Sequence, residues 1–232
     1  MRRILGFAAA ALLLPVAALA MHAKAPARPA APQTNWLGVV AITPQGGVRQ
    51  GNPDAPLALV EYGSRSCPTC GRFANEGVAA LRANYVATGK VSYEYRDFWV
   101  HPQDPGLSVL GHCVPTASFF KLLDAMYAGQ AGFNARANQQ MATVIAKLPK
   151  LQQPGEWARR LGYVELMARF GVPAAKANQC LASQAALGER ERRVREAAES
   201  GVRSTPTFEI NGVKFDAFSW ADLEPVLKAS GA

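Results

Sequence analysis

The chain is poor in the residues that hold metals, with only three histidines (His22, His101 and His112) and four cysteines in 232 residues. A structural zinc site needs four ligands, usually two Cys-x-x-Cys pairs or one pair with two histidines. Only one such pair is present, Cys67-Pro68-Thr69-Cys70, and the histidines show no ligand spacing. Covalent haem attachment is excluded because Gly71, not a histidine, follows the second cysteine. After the first twenty residues no segment is long and apolar enough to span a bilayer, which takes about 20 residues. There is no internal repeat. No stripe of lysine and arginine interleaved with aromatics accompanies the formal charge of +8, so nucleic acid is not an expected partner. Nothing in the pattern calls for a cofactor or a metal.

What is present begins with an export pattern. Arg2 and Arg3 precede an apolar stretch from Ile4 to Leu19, and Ala18-Leu19-Ala20 has the small residues of a cleavage site. Residues 1–20 are therefore expected to be a signal peptide. An uncleaved anchor is the competing reading, but the stretch is short and carries Pro15. Removing Arg2 and Arg3 lowers the charge from +8 to +6, since 8 − 2 = 6. Residues 21–35, rich in proline and alanine, read as a tether, and residues 36–232 as one domain in an oxidising compartment.

Within that domain, Trp36 to Ala41 is an expected edge strand, and Leu57 to Tyr62 has the composition of a buried one. Phe73, Gly77, Leu81 and Tyr85 recur every four residues and predict one buried helix face. Val91, Tyr93 and Tyr95 alternate with polar residues as a second strand, completing a strand-helix-strand unit. From about 105 to 200 the pattern is helical, interrupted by Pro149, Pro154 and Pro173. The charges from Glu189 to Glu199 predict a solvated helix face pairing Glu189 with Arg193, Glu191 with Arg195 and Arg195 with Glu199. Pro206 to Ile210 and Val213 to Phe215 form an expected hairpin about Asn211-Gly212, and Ser219 with Asp222 caps a last helix.

The Cys67–Cys70 pair falls where the buried strand has ended and the helix begins. At a helix N-terminus the free amide groups and the macrodipole favour a thiolate, the species that attacks disulfides. Cys67 is thus the expected exposed nucleophile, and Cys70, one turn on, the buried resolving thiol. Glu61 interrupts a run that otherwise wants burial; a desolvated carboxyl there would relay the proton that Cys70 gains or loses. The bland alternative points Glu61 outward. Thr205-Pro206 opens a strand, where a cis peptide would expose the Thr205 backbone to a bound peptide, although a trans turn is locally the commoner state. Cys113 and Cys180 read either as two buried thiols or as a bridge.

Taken in order, Val60-Glu61-Tyr62, Cys67-Pro68-Thr69-Cys70, Tyr95-Arg96-Asp97-Phe98 and the run from Gly201 to Gly212 resemble the DsbA-like branch of the thioredoxin superfamily. The resemblance covers roughly residues 50 to 230. It implies an α/β thioredoxin fold with an inserted helical subdomain, a cis Thr205–Pro206 bond facing Cys67, and thiol-disulfide exchange with exported proteins bearing free thiols. It also supports pairing Cys113 with Cys180, and it implies recycling by a DsbB-like membrane partner in the periplasm. Thr69 departs from the histidine of the best-known strongly oxidising members. A reductase or isomerase, and a non-enzymatic module binding peptides or copper(I), stay open as alternatives.

Overall fold

The protein's structure, a computed structural model, describes residues 34–232. The signal peptide expected at 1–20 and nearly all of the tether at 21–35 lie outside the described residues. A mixed sheet of six strands carries the site: β1 (Val40–Ile42), β2 (Val48–Gln50), β3 (Leu57–Gly63), β4 (Val91–Asp97), β5 (Thr207–Ile210) and β6 (Val213–Phe215), in the order β1-β2-β4-β3-β5-β6. β3 lies beside β4, its parallel partner, and β5, its antiparallel one. Being covered on both faces, β3 is apolar almost throughout, as its sequence predicts.

The edge strand expected at Trp36–Ala41 is displaced. Trp36–Gly38 forms a 3-10 turn closed by Gly38 N on Asn35 O at 3.0 Å and Val39 N on Trp36 O at 3.1 Å, and pairing begins only at Val40. The hairpin turn stands as expected, with Asn211 and Gly212 both at positive φ (49° and 86°), the geometry that asparagine and glycine tolerate.

Helix α1 (Pro68–Leu81) continues into a π-helical turn at Arg82–Val86. Its face of Phe73, Gly77, Leu81 and Tyr85 is buried as predicted. The helical region comprises α2 (Asp104–Gly111), α3 (Phe119–Asn134), α4 (Gln139–Ala146), α5 (Gln153–Leu161), α6 (Tyr163–Ala168), α7 (Ala174–Leu181) and α8 (Gln184–Glu199); α9 (Trp220–Ala229) follows the hairpin. Pro154 falls in the first turn of α5 and so starts that helix instead of breaking it. Ser219 caps α9 by accepting from Asp222 N at 3.2 Å.

Three apolar clusters result among the described residues, and α3 belongs to the two larger ones. Its Phe119, Phe120, Leu123 and Tyr127 pack with β3, β4 and α1, whereas Leu122 and Met126 face the core of the helical region. On α8 the Glu189–Arg193 pair forms at 2.8 Å, but Glu191–Arg195 and Arg195–Glu199 do not pair among the described residues. Arg192 and Arg193 instead bind Glu189 on one side and Glu196 on the other, so the arginine pair at the centre of the stripe takes both acidic partners.

Candidate active site

Cys67 is the N-cap of α1, in extended backbone geometry, and Cys70 lies within the helix's first turn. Both are thiols, and Cys70 is wholly buried. Cys67 is less open than expected, at 8% exposure. Its Sγ–H points at the carbonyl of Thr205, 3.4 Å away, and the Thr205–Pro206 bond is cis. The sequence-distant strand opening thus covers the sulfur that the helix end presents.

The two thiols differ sharply in proton affinity. Cys67 is lowered to about 5, chiefly by a hydrogen bond from Cys70, which with Thr205 and the amides of Cys70 and Thr69 outweighs burial. The helix end contributes through those amides, behind the neighbouring thiol. Cys70 is pushed well up by burial, by its bond to Cys67 and by the nearby charge of Glu61. Glu61 is buried at 1% exposure, contrary to the outward alternative, and burial raises its carboxyl to about 7 against the Tyr93 hydroxyl and the Arg82 charge. A poised carboxyl therefore lies within electrostatic reach of the buried thiol.

The four residues that lead into the pair are gripped by side chains which sequence reasoning did not single out. Along α3, Tyr127 Oη donates to Ser64 O (3.2 Å), Gln130 Nε2 to Arg65 O and Cys67 O (3.0 Å each), and Asn134 Nδ2 to Ser66 O (2.8 Å). Four successive carbonyls are thereby held. Gly71 permits this approach, since a Cβ there would overlap the Gln130 amide. From α2, the buried Asp104 carboxylate accepts from Ser64 Oγ (2.9 Å) and Ser66 Oγ (2.7 Å), and Ser64 Oγ in turn accepts from Cys67 N (3.1 Å).

Arg65 points inward, at 1% exposure, between the rings of Tyr95 and Phe119 (5.2 Å to each centroid). Its Nε donates to Asp97 Oδ1 at 2.9 Å, and His112 Nε2 lies 3.0 Å from Asp97 Oδ2. Burial by itself would raise the Asp97 carboxyl, but Arg65 and then His112 hold it well below the usual carboxylate range. Two signals for these residues were present in the chain. Asp97 belongs to the Tyr95–Phe98 motif, and Tyr127, Gln130 and Asn134 recur at helical spacing on one face of α3.

Cys113 and Cys180 are joined in a disulfide, with a Cα separation of 6.2 Å, between the end of α2 and α7. Among the described residues no group of three or more His, Cys, Asp or Glu side chains could hold a metal ion.

A family model described as thioredoxin matches residues 43–229. The chain belongs to the thioredoxin family. Its thioredoxin-type sheet with inserted helices superposes on a protein-disulfide isomerase structure from Novosphingobium aromaticivorans with a TM-score of 0.73 and 28% identity, covering 79% of this chain and 97% of that one. Wolbachia pipientis α-DsbA1 shares the fold at a TM-score of 0.62 and 20% identity, over 78% of this chain and 88% of that one. A Rickettsia prowazekii protein whose name gives it, provisionally, as a protein-disulfide oxidoreductase is 27% identical over 176 residues, 73% of this chain and 56% of its own length. The chain thus spans little more than half the length of that curated relative.

Proposed function

We propose that the protein is a thiol-disulfide oxidoreductase that acts as an oxidase on exported proteins bearing free thiols. The observation that carries this reading is the split between the Cys67 and Cys70 thiols at the head of α1, opposite Thr205–Pro206. A substrate thiolate attacks the Cys67 sulfur of the Cys67–Cys70 disulfide, forming a mixed disulfide and releasing Cys70 as a thiolate. Cys70 then takes a proton from Glu61. A second substrate thiolate attacks the substrate sulfur of the mixed disulfide, so the client leaves with a new disulfide and Cys67 departs as the stabilised thiolate. The client has lost two electrons and the enzyme holds them as a dithiol. Stabilising the reduced form in this way makes a pair more oxidising.

Thr205 and Pro206 serve in this reading as the backbone edge against which an extended client segment lies. Residues 1–20 act as the export signal and 21–35 as the tether, placing the domain in the periplasm, where a DsbB-like membrane protein restores the disulfide. The reaction uses no cofactor. The test is oxidation of a reduced model protein by the preoxidised enzyme: stoichiometric disulfide formation, lost in Cys67→Ser, is expected. Binding without turnover would instead leave a peptide-binding module.

An isomerase direction is the second reading, favoured by the name of the Novosphingobium protein. A redox titration separates the two. A potential of about −120 mV is the oxidase outcome, whereas one of about −180 mV is the isomerase outcome.

A further inference from the structure

Among the described residues the Glu61 side chain has one hydrogen-bond partner. Tyr93 Oη donates to its Oε2 at 2.5 Å, and Oε1, equally buried, has none among the described residues. The contact comes from the sheet register: β3 and β4 run parallel with Leu59 beside Tyr93 and Glu61 beside Tyr95. The Tyr93 ring packs on Phe120, 5.5 Å between centroids, and the Arg82 guanidinium stands 5.3 Å from the same Phe120 ring. Arg82 is anchored by Asp124 of α3, at 2.5 Å and 3.1 Å, at the outer end of this stack. Arg82 opens the π-helical turn that follows α1.

We propose that Tyr93 and Arg82 are positioning residues for Glu61, which together keep the buried carboxyl able to give up its proton in the working range of the Cys67–Cys70 pair. The inference rests on the reading of Glu61 as the proton carrier. A carboxyl without polar neighbours at this depth would stay protonated and would not release its proton in that range. A donated hydroxyl hydrogen and a nearby guanidinium both stabilise the carboxylate. The remaining groups facing Glu61 do not. From α1 come Cys67, whose thiolate disfavours a second negative charge, and Cys70; β4 adds Tyr95, α3 adds Tyr127, and β5 presents the apolar Phe208 across the ladder. Among the described residues Tyr93 and Arg82 are therefore the two groups in this shell that favour ionisation, and Tyr93 alone hydrogen-bonds the carboxyl.

The test is the pH profile of thiol exchange in wild type, Tyr93→Phe, Glu61→Gln and the double variant. Phenylalanine keeps the ring and its packing on Phe120 and removes only the hydroxyl. Hydrogen bonds to charged groups are strong enough to shift an acid constant about tenfold or more, so the Glu61-dependent inflection should move upward by about one pH unit in Tyr93→Phe. In the Glu61→Gln background the same substitution should move nothing. Arg82→Gln should shift the inflection the same way by less, with Arg82→Lys restoring part of it. Infrared titration of the Glu61 carboxyl, assigned by difference with Glu61→Gln, reads the shift without any exchange reaction.

A Tyr93→Phe protein with a native near-ultraviolet spectrum, unmoved infrared titration and unmoved profile overturns the inference while leaving a slow Glu61→Gln to uphold the proton carrier. A Glu61→Gln protein that exchanges like wild type overturns the proton-carrier reading itself, and the inference with it.

Discussion

The two cysteine pairs of this chain lie in the two halves of the fold and are treated in opposite ways. Cys67 and Cys70 stand two residues apart at the head of α1 and are free thiols, surrounded by groups that split their proton affinities. Cys113 and Cys180 are 67 positions apart and already joined, between helices whose contacts are mainly apolar. The proposed redox chemistry at the first pair is thus a property of its setting: a helix start, a facing carbonyl, a buried carboxyl and a loop whose carbonyls are all tied. The second pair has a packing role, closing the helical region that supplies α3. In the proposed reaction the helical half therefore does not carry the chemistry but holds the loop that does.

The sharpest way to break this contrast is to follow the pH dependence of the first pair. The folded Cys67 pKa of about 5 lies below its ordinary value of 9.0, so the thiolate contributes stability that is fully present above the ordinary value and lost as pH falls through about 5. Between those limits the reduced protein should gain on the oxidised one by about 1.4 kcal/mol per pH unit. Denaturation of both forms from pH 4 to 9 measures it, and parallel curves would abolish the asymmetry. Alkylation should likewise label Cys67 with a midpoint near pH 5 while Cys70 stays unlabelled. Cys70→Ser should accumulate clients on Cys67, readable as mixed disulfides on a non-reducing gel.

Next comes the ion pair beneath the loop. Asp97→Asn leaves the Arg65 charge buried without its partner, and should cost about 3–5 kcal/mol by urea denaturation. A loss below about 1 kcal/mol would show that the loop does not depend on it. The joint Cys113→Ala and Cys180→Ala variant should lose up to about 4 kcal/mol through the greater freedom of its unfolded chain. Exchange through Cys67 should continue where the variant remains folded. If exchange collapses in the folded variant, the two pairs are not separable.

Glu61 should move stability the other way. Its folded pKa of about 7 lies above the ordinary 4.5, so the native state binds the extra proton between these values and stability falls as pH rises through them. Above pH 7 burial of the carboxylate costs about 3 kcal/mol. Glu61→Gln should recover much of this at pH 8, gain little at pH 4, and slow exchange. The smallest effect is expected at Gln130, where replacement by leucine removes the donor to two carbonyls and should cost about 1–3 kcal/mol. The Cys67 alkylation midpoint should shift in the same variant, since the loop that presents the thiol is loosened.

Much of the site was legible from local pattern. The buried run of β3, the four-residue repeat of α1 and the cysteine pair between them placed a nucleophile at a helix start with no tertiary information. Glu61 was visible because a charge in an apolar strand has to be accounted for. The first strand was less legible, because Gly38 and the Asn35 carbonyl turn the chain into a 3-10 helix before pairing starts. The pairing on α8 was also misread: Glu189, Arg192, Arg193 and Glu196 each have acceptable partners both three and four positions away, and spacing does not choose among them.

The sequence by itself determined the β3–α1–β4 unit, the helical region, the β5–β6 hairpin and the two thiols at one helix end, because each follows from the periodicity of neighbouring residues, whereas β2 carried no such signal and the burial of Glu61 was left open. The tertiary structure, as the family resemblance implied and local pattern could not, set Thr205, 138 positions from Cys67, against its sulfur. It alone decided that α3 would grip the loop through Tyr127, Gln130 and Asn134, and that Tyr93 would be the one hydroxyl on Glu61. These are contacts between polar groups far apart in the chain. Their partners are chosen by sheet register and helix packing, which set where a donor ends up, whereas local sequence sets only that a donor exists.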